Sequence, residues 1–310
     1  MIVRISLIAL IGGACLAAES QMEGPKLGFI FDQRAAAVRP ILGIPGASMF
    51  GTPLSSDLQQ AVVSPSQDFA IGVSGGESTV GILNFSSAEV RPLQGANPAP
   101  TKIVFSPNGT SAALVHGASV RVFSGLPVNA SAGAEYALTA EPVALAVSDD
   151  ATLVLASIAE SEATALFSYS SGGAAHRILS GGRIGAIEFL NHSHDAVFAD
   201  ALENKVILLK DGGDATVLAT VDQPGAVAAS LDNRKIMAIS PAARTITTIS
   251  LEDGTSVSTS CGCEPSTLAR LLGGAVFRIT AMGDGPTWIF DTGGLEPRVL
   301  FIPHSGAGNE

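Results

Sequence analysis

Residues 103–115 read IVFSPNGTSAALV, and this stretch decides the fold. Three apolar residues that suit a β-strand precede a Ser-Pro-Asn-Gly turn, and a second apolar strand follows it. The same pattern recurs around VVSPSQ at 62–67, LAVSDD at 145–150, IEFLN at 187–191, AASLDN at 228–233 and LARLLG at 268–273. A repeat of this kind predicts a chain built from copies of one supersecondary unit.

The spacing of the copies indicates the architecture. The residue before each turn stands at position 64, 106, 148, 190, 231 or 271, so successive copies are 42, 42, 42, 41 and 40 residues apart. A period of about 40–45 residues with four strands is that of a β-propeller blade. A degenerate copy, GFIFDQR at 28–34, has its anchor at Phe31, 33 residues before Ser64 and about one strand short. We therefore predict an all-β protein, a single seven-bladed β-propeller with about four strands in each blade. The first blade is incomplete or is completed by the other terminus.

A second alignment of the N-terminal copy leads to six blades. FIFD at 29–32 also matches WIFD at 288–291. In that alignment the N-terminal strands are outer strands and six full blades follow them. Both alignments predict little helix, since no stretch after the N-terminal segment keeps an apolar stripe of period 3.6 over three turns.

The turns also carry a resemblance to a known family. The sequences SPSQ at 64–67, SPNG at 106–109 and SDDA at 148–151 resemble the Ser-Pro-Asp-Gly turn of bacterial WD40-like and YVTN-type propellers. The resemblance covers residues 27–303 and implies a ring of blades around a channel. Members of the family include binding scaffolds, lyases and sugar-lactone hydrolases, so the resemblance does not choose a function.

Composition excludes several classes of protein. The chain has 310 residues and a formal charge of −11, with 46% hydrophobic and 15% charged residues. This apolar content is too high for a disordered chain. The acidic balance argues against nucleic acid as a partner, because phosphate binding needs a basic surface. No internal run reaches the roughly 18 apolar residues of a membrane span.

The N-terminus has the layout of a secretory signal peptide. One arginine, Arg4, precedes an apolar run over residues 5–14, and small residues follow it. Cleavage after Ala17 or Ala18 gives a free protein, whereas Gly13-Ala14-Cys15 resembles a lipoprotein box in which Cys15 would carry a lipid anchor. A buried N-terminal strand is the structural alternative. We expect a signal peptide at 1–18, a short segment at 19–26, the propeller at 27–303 and a flexible tail at 304–310.

The fold suggests where a ligand would bind. In propellers, ligands usually lie at the channel end formed by the loops after the second and the outermost strands of each blade. Our alignment places seven charged candidates on these loops: Glu77, Glu141, Arg183, Glu203, Asp222, Arg244 and Asp284. Converging carboxylates would hold Ca²⁺ or another hard cation, which would polarise a lactone or uronate carbonyl. The other interpretation is that they are ordinary solvated loop residues.

Two further groups of residues suggest specific chemistry. His192-Ser193-His194-Asp195 has the composition of a metal site, but it occupies the turn after an innermost strand, and we favour a surface turn. Cys261 and Cys263 flank Gly262 and would pair as a disulfide in an oxidising compartment, with free thiols as the alternative.

These observations predict a binding or interaction scaffold rather than an enzyme. We expect a monomer that is secreted, periplasmic or on the cell surface, with a protein or small-molecule ligand in the envelope and no cofactor. The alternative is a metal-assisted lactonase or lyase that acts on a sugar lactone or uronate and needs a divalent cation such as calcium.

Overall fold

A computed structural model describes residues 24–283 and 285–303, which form seven antiparallel sheets. We number them blades 1 to 7 in chain order. The first four blades contain the following strands: β1 (Lys26–Asp32), β2 (Ala37–Ile44) and β3 (Ala47–Phe50) in blade 1; β4 (Leu58–Val63), β5 (Phe69–Ser74), β6 (Val80–Asn84) and β7 (Val90–Pro92) in blade 2; β8 (Lys102–Phe105), β9 (Ala112–His116), β10 (Ser119–Ser124) and β11 (Ser131–Ala137) in blade 3; β12 (Pro142–Val147), β13 (Leu153–Glu160), β14 (Ala163–Ser170) and β15 (His176–Gly182) in blade 4.

The remaining three blades have the same four-stranded arrangement. They contain β16 (Ile184–Phe189), β17 (Ala196–Asp200), β18 (Lys205–Lys210) and β19 (Asp214–Thr220) in blade 5; β20 (Ala226–Ala229), β21 (Lys235–Ser240), β22 (Thr245–Ser250) and β23 (Ser256–Ser260) in blade 6; β24 (Ala269–Arg270), β25 (Val276–Arg278), β26 (Thr287–Asp291) and β27 (Arg298–Ile302) in blade 7. This confirms the prediction of a seven-bladed, all-β propeller. The described residues contain no helix, and so no helical segment there has the length and hydropathy to cross a bilayer.

Apolar side chains between neighbouring blades hold the ring together. There are seven such clusters among the described residues, one for each seam between blades. The last seam joins Ile289 and Ile302 of blade 7 to Leu27 and Ile41 of blade 1. The ring therefore closes mainly by side-chain packing, because β27 pairs within blade 7 and not with a strand of blade 1. One backbone hydrogen bond, from the Leu272 amide to the Leu27 carbonyl over 2.9 Å, also joins the two blades.

Within residues 24–283 and 285–303, blade 1 has three strands and no outermost strand, as the short first spacing predicts. After β3, the chain continues along β2, where the Leu54 amide donates to the Val38 carbonyl over 2.8 Å. It then enters β4 of blade 2 directly. The six-blade alignment is wrong, because β1 is the innermost strand of its own blade, whereas residues 288–291 lie in β26, the third strand of blade 7.

The turns that follow the innermost strands, called inner turns here, share one backbone hydrogen bond. The residue before the turn donates its amide to the carbonyl five residues later, as Ser106 does to Ser111 over 2.9 Å. Ser230 makes this bond to Lys235, so the sixth copy is anchored at Ser230 and not at Leu231. The corrected anchors are Ser64, Ser106, Ser148, Leu190, Ser230 and Leu271.

Candidate functional site

The channel of the ring contains a cavity of about 510 Å³. Residues from the innermost strands of all seven blades line it, together with residues of several inner turns. Most of the lining residues come from the second half of their strands. The cavity therefore lies at the end of the channel where the inner turns are, and this end is called the turn end here. The channel cavity is defined here by Phe31, Val63, Pro65, Gln67, Phe105, Pro107, Val147, Glu188, Phe189, Ala228, Leu268, Arg270 and Arg278.

Arg270 spans part of this cavity from blade 7. Its side chain is only 6% exposed. Nη1 donates to the Pro107 carbonyl of blade 3 over 2.8 Å, and Nη2 donates to the Ala229 carbonyl of blade 6 over 2.7 Å. Nε is buried and has no hydrogen-bond partner in the part of the chain that the structure describes. One guanidinium group thus connects three blades and keeps one unsatisfied donor.

Glu188, on the innermost strand of blade 5, supplies the opposing charge. Its Oε1 lies 3.2 Å from Arg270 Nη2 and accepts the Ala229 amide over 3.2 Å. Burial raises the pKa of Glu188 above its usual range, and the charge of Arg270 only partly opposes this.

Gln67 completes the polar network at the seam where blade 7 meets blades 1 and 2. Its Oε1 accepts the Phe29 amide over 2.6 Å, and its Nε2 donates to the Arg270 carbonyl over 2.8 Å. The backbone of Gln67 has a φ of +63°, which aims the side chain inward from an inner turn. Gln67 thus links the inner turn of blade 2 to the innermost strands of blades 1 and 7.

Arg278, on β25, is the second cationic group of the channel cavity. Nη1 donates to the Thr280 carbonyl over 2.8 Å, and among the described residues it has no carboxylate partner. Burial lowers the pKa of Arg278 to about 10, so the group remains charged at neutral pH. Two arginines and one glutamate leave the cavity with one excess positive charge, opposite in sign to the chain as a whole.

The charged loop residues predicted from sequence lie outside the channel cavity. Six of the seven are described, and all six are exposed: Glu77, Glu141, Arg183, Glu203, Asp222 and Arg244. Glu203 contacts Lys205 at 3.2 Å, and Glu141 accepts a hydrogen bond from Thr101 at 2.9 Å. Asp284 and the candidate lipidation residue Cys15 fall outside the described residues. No group of three or more His, Cys, Asp or Glu residues within the described ranges is placed to hold a metal ion.

The segment His192–Asp195 forms an inner turn on the surface of blade 5. His194 Nε2 lies 3.0 Å from Asp150 Oδ2, and its Nδ1 lies 3.8 Å from Asp211 Oδ1. These side chains border a shallow cleft that joins the inner turns of blades 3, 4 and 5. His194 of blade 5 thus contacts Asp150 of blade 4 and links the two neighbouring blades.

Cys261 and Cys263 are buried at the seam between blades 6 and 7 and are joined as a disulfide with a Cα–Cα distance of 5.0 Å. The Cys263 amide also contacts Cys261 Sγ at 3.2 Å. The bridge closes a tight bend between β23 and β24.

Sequence reasoning missed the channel residues because it searched the loops. The signal was present in the inner strands, where Glu188 in IEF at 187–189 and Arg270 in LARLL at 268–272 are charged residues flanked on both sides by apolar residues. Charged residues are rarely buried unless they are paired. The sequence therefore marks Glu188 and Arg270 as candidate channel residues, whereas their pairing follows only from the closed ring.

The fold resembles those of solved β-propellers. A functionally unknown protein from Desulfotomaculum acetoxidans DSM 771 has a TM-score of 0.61 at 16% identity, with 92% of this chain and 96% of that chain covered. The Cps50 (Swd1) β-propeller domain of Myceliophteria thermophila has a TM-score of 0.57 at 12% identity, with coverages of 79% and 86%. Virginiamycin B lyase from Staphylococcus aureus has a TM-score of 0.53 at 12% identity, with coverages of 87% and 92%. At these identities the similarity shows a β-propeller fold and nothing finer. No protein-family model matches the chain, and no curated protein matches its sequence.

Proposed function

We propose that this protein is a non-enzymatic binding propeller that holds a small-molecule ligand in its channel cavity. The observation that carries the proposal is the buried guanidinium of Arg270 in the wall of a cavity of about 510 Å³. Ligand sites in proteins are concave, mainly apolar and about 300–1,000 Å³ in volume, with a few convergent polar groups. The channel cavity has this size and this mixture of groups.

The alternative, a metal-assisted lactonase or lyase, receives less support from the geometry. It needs several carboxylate oxygens at about 2.3–2.6 Å from one point. The described loop carboxylates are exposed, and Glu203 and Glu141 already contact Lys205 and Thr101. The observations therefore favour binding over catalysis.

We also propose that the protein belongs to the secreted YVTN-type propellers and works outside the cytoplasm as a monomer. Two observations support an extracytoplasmic site. One is the signal-peptide pattern of residues 1–18, and the other is the disulfide between Cys261 and Cys263, since disulfides persist in oxidising compartments. An intact mass of envelope-purified protein tests the first: a mass that retains Met1 contradicts export by cleavage.

The test of binding uses a variant in which the cavity is filled. Val63 lines the channel cavity and is half-buried, so Val63→Phe should reduce the free volume. The matched control is Val257→Phe on the outermost strand of blade 6, where the side chain is 59% exposed. A library of small molecules and divalent cations is screened by thermal shift against the mature protein and both variants.

The expected result is a stabilising compound whose effect is lost in Val63→Phe and kept in Val257→Phe. A compound that stabilises all three proteins equally contradicts a channel site. A divalent cation whose effect disappears in Glu203→Gln would favour the metal-assisted alternative.

A further inference from the structure

The charge of the channel cavity restricts the class of ligand. Its ionisable lining groups are Arg270, Arg278 and Glu188, which is one more cation than anion. The chain as a whole carries −11, so the cavity has the opposite sign to its surroundings. In a site removed from water, a charge of one sign attracts a ligand of the other sign more strongly than it would at the surface.

The two arginines differ in how far the described residues satisfy their donors. Arg278 uses Nη1 for the Thr280 carbonyl, and no carboxylate among the described residues pairs with it. Arg270 uses both terminal nitrogens, but its Nε is buried without an acceptor. Arg270 therefore contributes its charge to the cavity, whereas a ligand carboxylate would pair with Arg278.

The remaining walls favour an apolar body on the ligand. Phe31 and Phe105 are half-buried and line the channel cavity together with Val63, Val147 and Phe189. Inorganic anions such as sulfate would leave these surfaces in contact with water, whereas an aryl or alkyl group would cover them.

We propose that the channel cavity binds a small organic carboxylate, with its carboxylate held by Arg278 and its apolar body against Phe31 and Phe105. This inference rests on the proposed function and specifies the ligand of the same site. Arginine suits this role because its planar guanidinium pairs with a carboxylate through directed hydrogen bonds.

The test compares three probes that share a benzyl group and differ in charge: phenylacetate, phenylacetamide and phenethylamine. Their affinities for the mature protein are measured by isothermal titration calorimetry at neutral pH. We expect phenylacetate to bind at least about tenfold more tightly than the neutral amide, because a hydrogen bond to a charged group contributes that much. We expect the amine not to bind.

Two variants at the site should change the affinity in opposite directions. Arg278→Gln should weaken phenylacetate binding by about tenfold, because it removes a charged donor. Glu188→Gln keeps the side-chain shape but removes the competing carboxylate, so it should strengthen binding. Arg244→Gln is the control, since Arg244 is exposed and lies outside the cavity. The melting temperature of each variant shows that it is folded.

Failure of this inference is distinguishable from failure of the proposed function. If phenylacetamide binds as tightly as phenylacetate and Val63→Phe abolishes both, the channel is a ligand site but the carboxylate class is wrong. If Arg278→Gln leaves phenylacetate binding unchanged, or phenylacetate does not bind, the inference is also overturned. If Val63→Phe is stabilised as much as the mature protein by every compound in the library, the proposed function itself is overturned.

Discussion

Arg270 Nη2 lies 3.2 Å from Glu188 Oε1, and the two residues stand on innermost strands of blades 7 and 5. They are 82 positions apart in the chain. With the bonds to the Pro107 and Ala229 carbonyls, the pair connects blades 3, 5, 6 and 7 through the middle of the ring. Most contacts between blades join neighbours, so this network and the bond from Gln67 to the Arg270 carbonyl add contacts across the ring.

Removal of the arginine should destabilise the whole ring. Arg270→Met keeps the length of the side chain but leaves Glu188 and two carbonyls without their donor. We expect the free energy of unfolding to fall by about 3–5 kcal/mol in urea denaturation, as for breaking a buried ion pair. Arg234→Met, at a side chain that is 65% exposed, is the control and should change stability by about 0.5 kcal/mol or less. Equal effects in the two variants would mean that the network does not stabilise the ring.

Two glycines with left-handed backbones allow a matched comparison. Gly109 has a φ of +79° and Gly117 a φ of +62°. An added Cβ at Gly117 meets nothing within 4 Å, whereas at Gly109 it meets Ser64 Oγ of the neighbouring blade. Gly117→Ala should cost about 1–2 kcal/mol from backbone strain, and Gly109→Ala should cost clearly more. Thermal unfolding of both variants measures the difference. If the Gly109→Ala variant were as stable as the Gly117→Ala variant, this would contradict the close approach of the inner turns of blades 2 and 3.

Ile302 and Phe301 test how the ring closes. Ile302 is fully buried in the cluster between blades 7 and 1, and its neighbour Phe301 is 53% exposed on the other face of β27. We expect Ile302→Ala to cost about 2–5 kcal/mol and Phe301→Ala about 1 kcal/mol or less, measured by urea denaturation. The opposite order would mean that the seam between blades 7 and 1 is not where the ring closes.

Asp150 should make stability depend on pH. Burial raises the pKa of Asp150, but hydrogen bonds from Ser148, Thr152 and His194 outweigh it and leave the pKa well below its usual range. A lowered pKa in the folded state stabilises the protein above the unfolded pKa of about 4, and this contribution is lost as the pH falls further.

The measurement for Asp150 is the stability of Asp150→Asn against the parent protein across pH. We expect the free energy of unfolding of Asp150→Asn to be about 1 kcal/mol lower than that of the parent protein at neutral pH. This deficit is small because half of the Asp150 side chain is exposed. The deficit should shrink as the pH falls below about 4. Asp214→Asn, at an exposed aspartate on β19, serves as the control. A deficit that stays constant down to acidic pH would argue against the hydrogen-bonded carboxylate.

Thiol chemistry tests the bond between Cys261 and Cys263. In unfolded, unreduced mature protein, iodoacetamide should label neither residue, because both sulfurs are bonded. After reduction it should label both, which is detected as a mass increase on the peptide that contains them. Full labelling before reduction would rule out the disulfide.

The repeat alone was enough to predict the fold, because blade architecture depends on local features. Turn chemistry at SPNG and SDDA, short apolar strands and a period near 42 residues are all readable along one blade. The missing strand of blade 1 was also predictable, since it appears as the short spacing between Phe31 and Ser64. The error at Leu231 arose because the sequence cannot show which backbone amide closes the turn, and the structure assigns that bond to Ser230.

The channel site depended on tertiary structure. Glu188 and Arg270 are two isolated charges in the sequence, and their pairing follows only when the ring brings blades 5 and 7 to a common axis. The position of the cavity at the turn end could not be predicted from the sequence either, because it depends on which side chains leave space along all seven inner strands. The sequence thus determined the repeated unit, whose hydrogen bonds are local. Closure of the ring decided which charges meet, because contacts between distant blades exist only in the closed geometry.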